Sequence, residues 1–188
     1  MFSASFTIKQ KNTSGQPSSL TKGSVSVRNS DKNIKFDIVF PKREHWEIND
    51  SILTKTIGDS ITIKTNIGKF DDLSIFNELL TLYKNDYGLK DAGFVISTVS
   101  SDTSETVVTW TPPKTFATFI SKAITIISSN TLSSVTFFDV DNIEISSTFF
   151  TNYKVIRGLP IPSRITSKTQ SKKETIYKSI EFDEIHIE

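Results

Sequence analysis

The chain has 188 residues, with 22 Lys+Arg against 21 Asp+Glu, 36% hydrophobic and 11% aromatic residues, and no cysteine. A chain of this length folds as one domain that hides roughly 70% of the surface its unfolded form exposes, so its core needs no disulfide or metal for support. The net charge of +1 provides no broad positive field, which argues against nucleic acid as a partner, and no apolar run reaches the roughly 18 to 20 residues of a membrane-spanning helix.

Residues Met1 to Ser5 lead straight into an alternating segment, with no basic region, apolar stretch or cleavage site before it. A Met set directly against a strand suggests that it replaces a removed leader, and the lack of cysteine is compatible with an oxidising compartment. Period-two alternation then dominates. It runs through Phe6 and Ile8, Val25 and Val27, Ile34 to Phe40, Trp46 and Ile48, and Ile61 and Ile63. The residues between them are mostly polar, as with Lys35 and Asp37, so each strand has one apolar face. From Asp71 or Asp72 the period changes: Leu73, Phe76, Leu79, Leu80 and Tyr83 recur at three- and four-residue steps, predicting a helix over Asp72 to Lys84. Alternation resumes at Phe94 and Ile96. It continues through Val107–Trp110, Phe119–Ile127, Val135–Phe138, Ile143–Phe150, Ile161–Thr166 and Thr175–Ile187.

Short turn signals separate these segments: Thr13-Ser14-Gly15, Asn49-Asp50-Ser51, Ile57-Gly58-Asp59, Ser128-Ser129-Asn130 and Asp141-Asn142. Connections this short join antiparallel neighbours, which predicts a long meander. One helix is too small to cover so large an apolar face, so the sheet is expected to curl into an unclosed barrel or half-barrel with the helix as plug. The Ser/Thr/Lys-rich stretch Ser163 to Ser179, with Arg164, Lys168, Lys172, Lys173 and Lys178, reads as the solvated hairpin of a late strand pair carrying edge lysines. A basic patch for anionic headgroups is the other reading.

Catalytic and metal signals are missing. His45 and His186 have no second ligand at useful spacing, and no Walker, dinucleotide or nucleophile-elbow pattern occurs. Asp139-Val140-Asp141-Asn142 has neither the Gly nor the bidentate Glu of a calcium loop and reads as a hairpin turn. Asp71 and Asp72 are explained by helix capping. An enzyme would need His45, Glu44 or Asp183 to converge on a polar cleft, so no enzyme, metal or cofactor is expected.

Ser5-Phe6-Thr7-Ile8-Lys9-Gln10, Lys22-Gly23-Ser24-Val25-Ser26-Val27-Arg28 and Phe36 to Phe40-Pro41 together resemble the opening strands of periplasmic lipoprotein carriers of the LolA type. Trp46 to Leu53, with its turn at Asn49-Asp50-Ser51, is similar to the family's apolar strand and turn. Trp110-Thr111-Pro112-Pro113-Lys114, Val135 to Tyr153, and Ile161-Pro162-Ser163-Arg164-Ile165 resemble later elements of the broader lipoprotein-sorting group. The resemblance implies a mainly β half-barrel of about eleven antiparallel strands over the whole chain, whose apolar concavity holds acyl chains. Its wall would consist of Phe6, Ile8, Val25, Val27, Ile34, Phe36, Ile38, Trp46 and Ile48, with Phe76, Leu79 and Leu80 of the helix plugging the open side. A core of ordinary packed residues gives the same alternation.

The implied partners are acylated lipoproteins, an inner-membrane lipoprotein-releasing ABC transporter and an outer-membrane receptor, in the periplasm, with a monomeric carrier that meets membranes only transiently. A rim at Ile34, Arg43 and Trp46 is expected to meet the donor, with Lys42 and Arg43 pairing with acidic groups there. The chain departs from the family in three ways. It starts almost at the first strand. Arg28, the position of the family's lid-latching Arg, is followed by Asn29-Ser30 and has the parity of Ser24 and Ser26, opposite Val25 and Val27. The loop Pro41-Lys42-Arg43-Glu44 has a charged tip, which favours a soluble carrier over a LolB-like receptor with a protruding apolar loop. A non-enzymatic β-rich interaction module is the alternative from another class.

Overall fold

A computed structural model describes residues 1–13, 18–28, 33–49, 52–58, 61–66, 86–171 and 174–187. Thirteen strands alternate along it: β1 (Phe2–Asn12), β2 (Ser19–Arg28), β3 (Asn33–Phe40), β4 (Glu44–Asn49), β5 (Ile52–Ile57), β6 (Ile61–Asn66), β7 (Val95–Ser101), β8 (Glu105–Thr111), β9 (Lys122–Ser128), β10 (Thr131–Phe138), β11 (Glu144–Ile156), β12 (Leu159–Gln170) and β13 (Thr175–Ile187). They form one open antiparallel sheet in the order β6-β5-β4-β3-β2-β1-β13-β12-β11-β10-β9-β8-β7. The expected meander is present, but it runs outward in both directions from the paired first and last strands. The two edge strands, β6 and β7, are consecutive in the chain.

Thirteen strands replace the expected eleven or so. The strand missing from the periodicity is β5, where Ile52 is exposed and Leu53 buried, so the apolar run straddles both faces. Phe119 and Ile120, expected to open a strand, lie instead in a helical turn in which the Phe116 and Ala117 amides donate to the Pro113 carbonyl and the Ile120 amide to that of Phe116; β9 begins only at Lys122. Ser163 to Ser179 does form a hairpin pair, but β12 and β13 lie inside the sheet, so its lysines guard no edge. The helix expected over Asp72 to Lys84 lies outside the described residues.

Local chemistry accounts for the turns and the curvature. Ser129 and Asn130, at φ 51° and 61°, form the two-residue connection of β9 to β10, and Arg157-Gly158, at 52° and 80°, that of β11 to β12. Both residues of each pair have positive φ, the primed geometry whose twist matches antiparallel strands. Asp139 Oδ1 accepts from the amides of Asp141 (3.0 Å) and Ile143 (2.8 Å), which makes this acidic stretch a turn. Register shifts at Ser3/Ser5, Lys22/Gly23, Ile96/Thr98, Leu132/Ser134 and Phe137/Phe138 add the local twist that bends a sheet. At Gly23 the backbone of β3 approaches so closely that a Cβ would stand 2.4 Å from the Asp37 carbonyl oxygen and 3.0 Å from Phe6 Cζ. Only glycine allows Phe6 to lie across this bulge.

Candidate functional site: the apolar concave face

Strand parity brings the apolar residues of both halves of the sheet to one face. In the N-terminal wing, β1–β6, Phe2, Ala4, Phe6 and Ile8 of β1 lie beside Val25 and Val27 of β2, then Ile34, Phe36 and Ile38 of β3, Ile48 of β4 and Leu53 of β5, all buried. The Phe6 and Phe36 rings meet edge-to-face with centroids 6.1 Å apart. Trp46 ends this wall half-buried. Its indole N–H donates to Glu44 Oε2 at 2.7 Å, and the Lys55 ammonium sits 4.1 Å from the ring centroid. A carboxylate and a cation thus hold the ring by its polar edge and its π face.

The face crosses the central seam without a break. Ile8 pairs with Ile180 of β13, Ile180 with Ile165 of β12, and Ile165 with Phe150 of β11, while Phe6 pairs with Phe182. Beyond the seam, Val135, Ala123, Val108 and Trp110 extend the wall across β10, β9 and β8. Trp110 and Thr125 are both buried, and the indole N–H donates to the threonine hydroxyl at 2.9 Å, so the polar edge costs little there. Tyr153 donates its hydroxyl to the Leu132 carbonyl at 2.6 Å, and burial pushes its pKa up to about 12.

Two turn segments lie on this wing. Residues 86–94 bring in Tyr87, Leu89 and Phe94, and residues 113–120 bring in Phe116 and Ile120. Tyr87 packs on Phe150 and Phe137 at centroid distances of 5.8 and 6.4 Å; Phe94 packs on Phe137 at 6.3 Å and stacks on Phe116 at 6.1 Å. The aromatic rings form an apolar cover over an apolar wall.

This architecture has clear structural relatives. The LolA-superfamily protein of Nitrosomonas europaea superposes over 100% of this chain and 86% of its own, with a TM-score of 0.61 at 14% identity. A DUF1329-family protein of Desulfovibrio piger reaches 0.65 at 9% identity, over 100% of this chain and 85% of its own. A putative outer membrane lipoprotein-sorting protein domain of Vibrio parahaemolyticus reaches 0.51 at 10% identity, over 98% and 84%. The chain has the LolA-type fold. No family model and no curated protein matches its sequence.

On this LolA-type frame, eight of the residues singled out for the wall (Phe6, Ile8, Val25, Val27, Ile34, Phe36, Ile38 and Ile48) are buried on the concave face, with Trp46 at its margin. Phe76, Leu79 and Leu80 lie outside the described residues. Periodicity also contains the second half of the wall, through Ile180 and Phe182 and through Phe150. Leu89 was out of reach, because no periodic pattern marks a turn that folds back onto a sheet; Phe94, expected to share a strand face with Ile96, instead closes that turn with its amide donating to the Leu89 carbonyl and is buried while Ile96 is exposed.

The rim residues do not assemble. Lys42 and Arg43 are exposed at the β3–β4 turn, where the Arg43 carbonyl accepts from the Gly58 amide at 3.4 Å. Ile34 is buried near the opposite end of β3, six residues before Phe40 and so roughly 20 Å along the strand. Arg28 is exposed at the end of β2, and no register shift between Gly23 and Arg28 turns it toward the concave side. His45, Glu44 and Asp183 do not converge. His45 Nδ1 meets Asp37 at 2.7 Å on the convex side, Glu44 binds Trp46 on the concave side, and Asp183 sits at the β13 bulge facing Ser5. Among the described residues no group of three His, Asp or Glu is placed to hold a metal ion.

Proposed function

We propose that this protein is a soluble carrier that shields the acyl chains of lipoproteins against its concave face and moves them across the periplasm, from an inner-membrane ABC transporter toward the outer membrane. The observation that carries the reading is the apolar row Ile8–Ile180–Ile165–Phe150, which joins two walls into one surface, together with turn segments that cover one half of it. Likeness to a lipoprotein-sorting domain supports the same reading. Each buried CH₂ contributes about 0.8 kcal/mol, so a lipoprotein leaving a bilayer needs an apolar surface of comparable extent. Because the wall is already buried, cargo enters by displacing a cover. Residues 86–94 and 113–120 touch the wall through separate rings, so they can lift without unpairing a strand. Lys42 and Arg43, exposed on a turn away from the wall, are free to meet acidic groups of a donor.

Native mass spectrometry of protein purified from a lipid-containing host is expected to show a bound acylated species, and a fluorescent acyl probe is expected to bind saturably. Lipid-free protein that takes up no probe would rule the carrier out.

A further inference from the structure

The convex face carries a second feature. A groove of about 470 Å³ opens there, beside the β1–β2 hairpin, lined by Lys9, Lys11, Leu20, Tyr177 and Ser179 among others. Register explains the grouping: Lys9 lies opposite both Leu20 and Ser179, and Lys11 opposite Tyr177. These positions have the parity opposite to Ile8, Ile180 and Val25, so the groove backs onto the apolar wall and is separate from it.

Charge is concentrated in this region. The neighbouring cross-strand rows carry Lys22, Lys9, Lys11, Arg164 and Lys168, five cations, against two carboxylates, Glu181 and Glu144. That excess of three exceeds the +1 of the entire chain. The two carboxylates are already engaged, Glu181 with Arg164 at 2.6 Å and Glu144 with Lys168 at 3.2 Å, although Glu181 also feels the charge of Lys9. No described carboxylate lies in ion-pair range of Lys9, Lys11 or Lys22. Exposed apolar side chains are interleaved with them: Tyr177 (47%) beside Lys11, Phe40 (45%) opposite Lys22, and Phe149 (47%) in the row of Lys9.

Three ammonium groups without a carboxylate in ion-pair range among the described residues, with exposed rings between them, match the surface of an anionic bilayer, where cations meet phosphates and aromatic side chains settle at headgroup level. We propose that this convex patch docks the protein on anionic phospholipid, its ammonium groups meeting headgroup phosphates while the largely apolar groove between the lysine stems, Leu20 and Tyr177 lies against the headgroup layer. The inference is independent of the carrier reading. It leaves the concave face open to cargo while the back of the sheet rests on the membrane.

Flotation with vesicles of phosphatidylcholine, with and without phosphatidylglycerol, tests it. Wild type is expected to bind only the anionic vesicles and to release as salt rises from about 0.1 M to 1 M, which shortens the screening length from about 10 Å to 3 Å. At about 1 kcal/mol per basic residue near the surface, the triple variant Lys9→Gln, Lys11→Gln, Lys22→Gln should bind on the order of a hundredfold more weakly, with unchanged melting and unchanged acyl-probe uptake. Tyr177→Ser should weaken binding further without altering its salt dependence. Equal binding of the triple variant and wild type, or equal binding to both vesicle types, overturns the proposal. So does complete release by millimolar glycerol phosphate, which would make the patch a site for soluble phosphate.

Discussion

The two wings of the sheet build the same concave face by different means. In the N-terminal wing the wall is aliphatic and aromatic along its strands, with the Phe6–Phe36 ring pair and a polar margin at Glu44–Trp46–Lys55. In the C-terminal wing the wall includes buried hydroxyl groups, Thr125 and Thr148, and chain segments outside the sheet add a layer of rings over it. The contrast assigns different work to the two halves. Residues within paired strands can leave the wall only if the ladder breaks, whereas Tyr87, Phe94 and Phe116 sit on turns whose removal leaves every strand paired. Among the described residues, then, the second wing carries ring-bearing segments that no strand pairing holds against its wall, while the wall of the first belongs to the ladder itself.

Truncation on either side should break this symmetry most strongly. Phe36→Ala is expected to cost about 3–5 kcal/mol in denaturant unfolding with no gain in acyl-probe affinity, because the cavity it leaves lies within the ladder. Phe116→Ala, on the cover, should cost about 1–2 kcal/mol and strengthen probe binding, since the closed state loses a contact that the open state lacks. Equal probe responses from the two variants would abolish the distinction. Next in size, Gly23→Val should destabilise the N-terminal wing by about 1–3 kcal/mol, because a Cβ there meets the Asp37 carbonyl oxygen at 2.4 Å and the Ile38 Cα at 3.0 Å, backbone atoms of β3 that cannot turn aside. In the C-terminal wing, Thr125→Val should cost about 1–3 kcal/mol by stranding the buried Trp110 indole N–H, a loss that Thr125→Ser should largely restore.

The smallest effects concern pH, and their signs differ. Tyr153 has its pKa raised by burial to about 12, so the stability it contributes is complete below the unfolded tyrosine value near 10 and declines as pH rises toward 12. Tyr153→Phe should flatten that alkaline decline. On the convex side the carboxyl of Glu181 is held low by its bond to Arg164, and that of Glu47 by the Asn33 amide and then by Lys35. A lowered carboxylate pKa stabilises above the unfolded value near 4.3, and that contribution is lost as pH falls through the folded value. Both groups are largely exposed, so Glu181→Gln should flatten the acid limb only slightly in a pH series of melting temperatures.

The strands and their inward faces were legible because alternation is a local property, and the residues it placed on one face from Phe6 to Ile48 are buried together, with Trp46 at their margin. Legibility failed where a side chain's chemistry conflicts with its position. Lys55 stands on the apolar side of β5 because its ammonium rests on the Trp46 ring, which obscured that strand. Phe119 and Ile120 looked continuous with β9, yet carbonyl partners at Pro113 and Phe116 wind them into a turn. The grouping of Ile34 with Arg43 failed for another reason: adjacency in a motif says nothing about which end of a strand a residue occupies. The pairing of β1 with β13 has no local signal at all, and although Arg164 and Lys168 stand in one visibly basic stretch, only that pairing brings Lys9, Lys11 and Lys22 beside them.

That pairing also constrains the order in which the molecule can be assembled. Each wing is a chain of hairpins whose neighbours follow one another closely, so each can zip from nearby turns as it is synthesised. The joint between them brings Phe6 to Phe182 and Ile8 to Ile180, across a loop of more than 170 residues, and forms only after β13 has emerged. Until then β1 and β12 each present an unpaired edge at what will become the middle of the sheet, the kind of surface on which strands from other molecules add. The strand that completes the concave face is therefore also the one that covers both of these central edges.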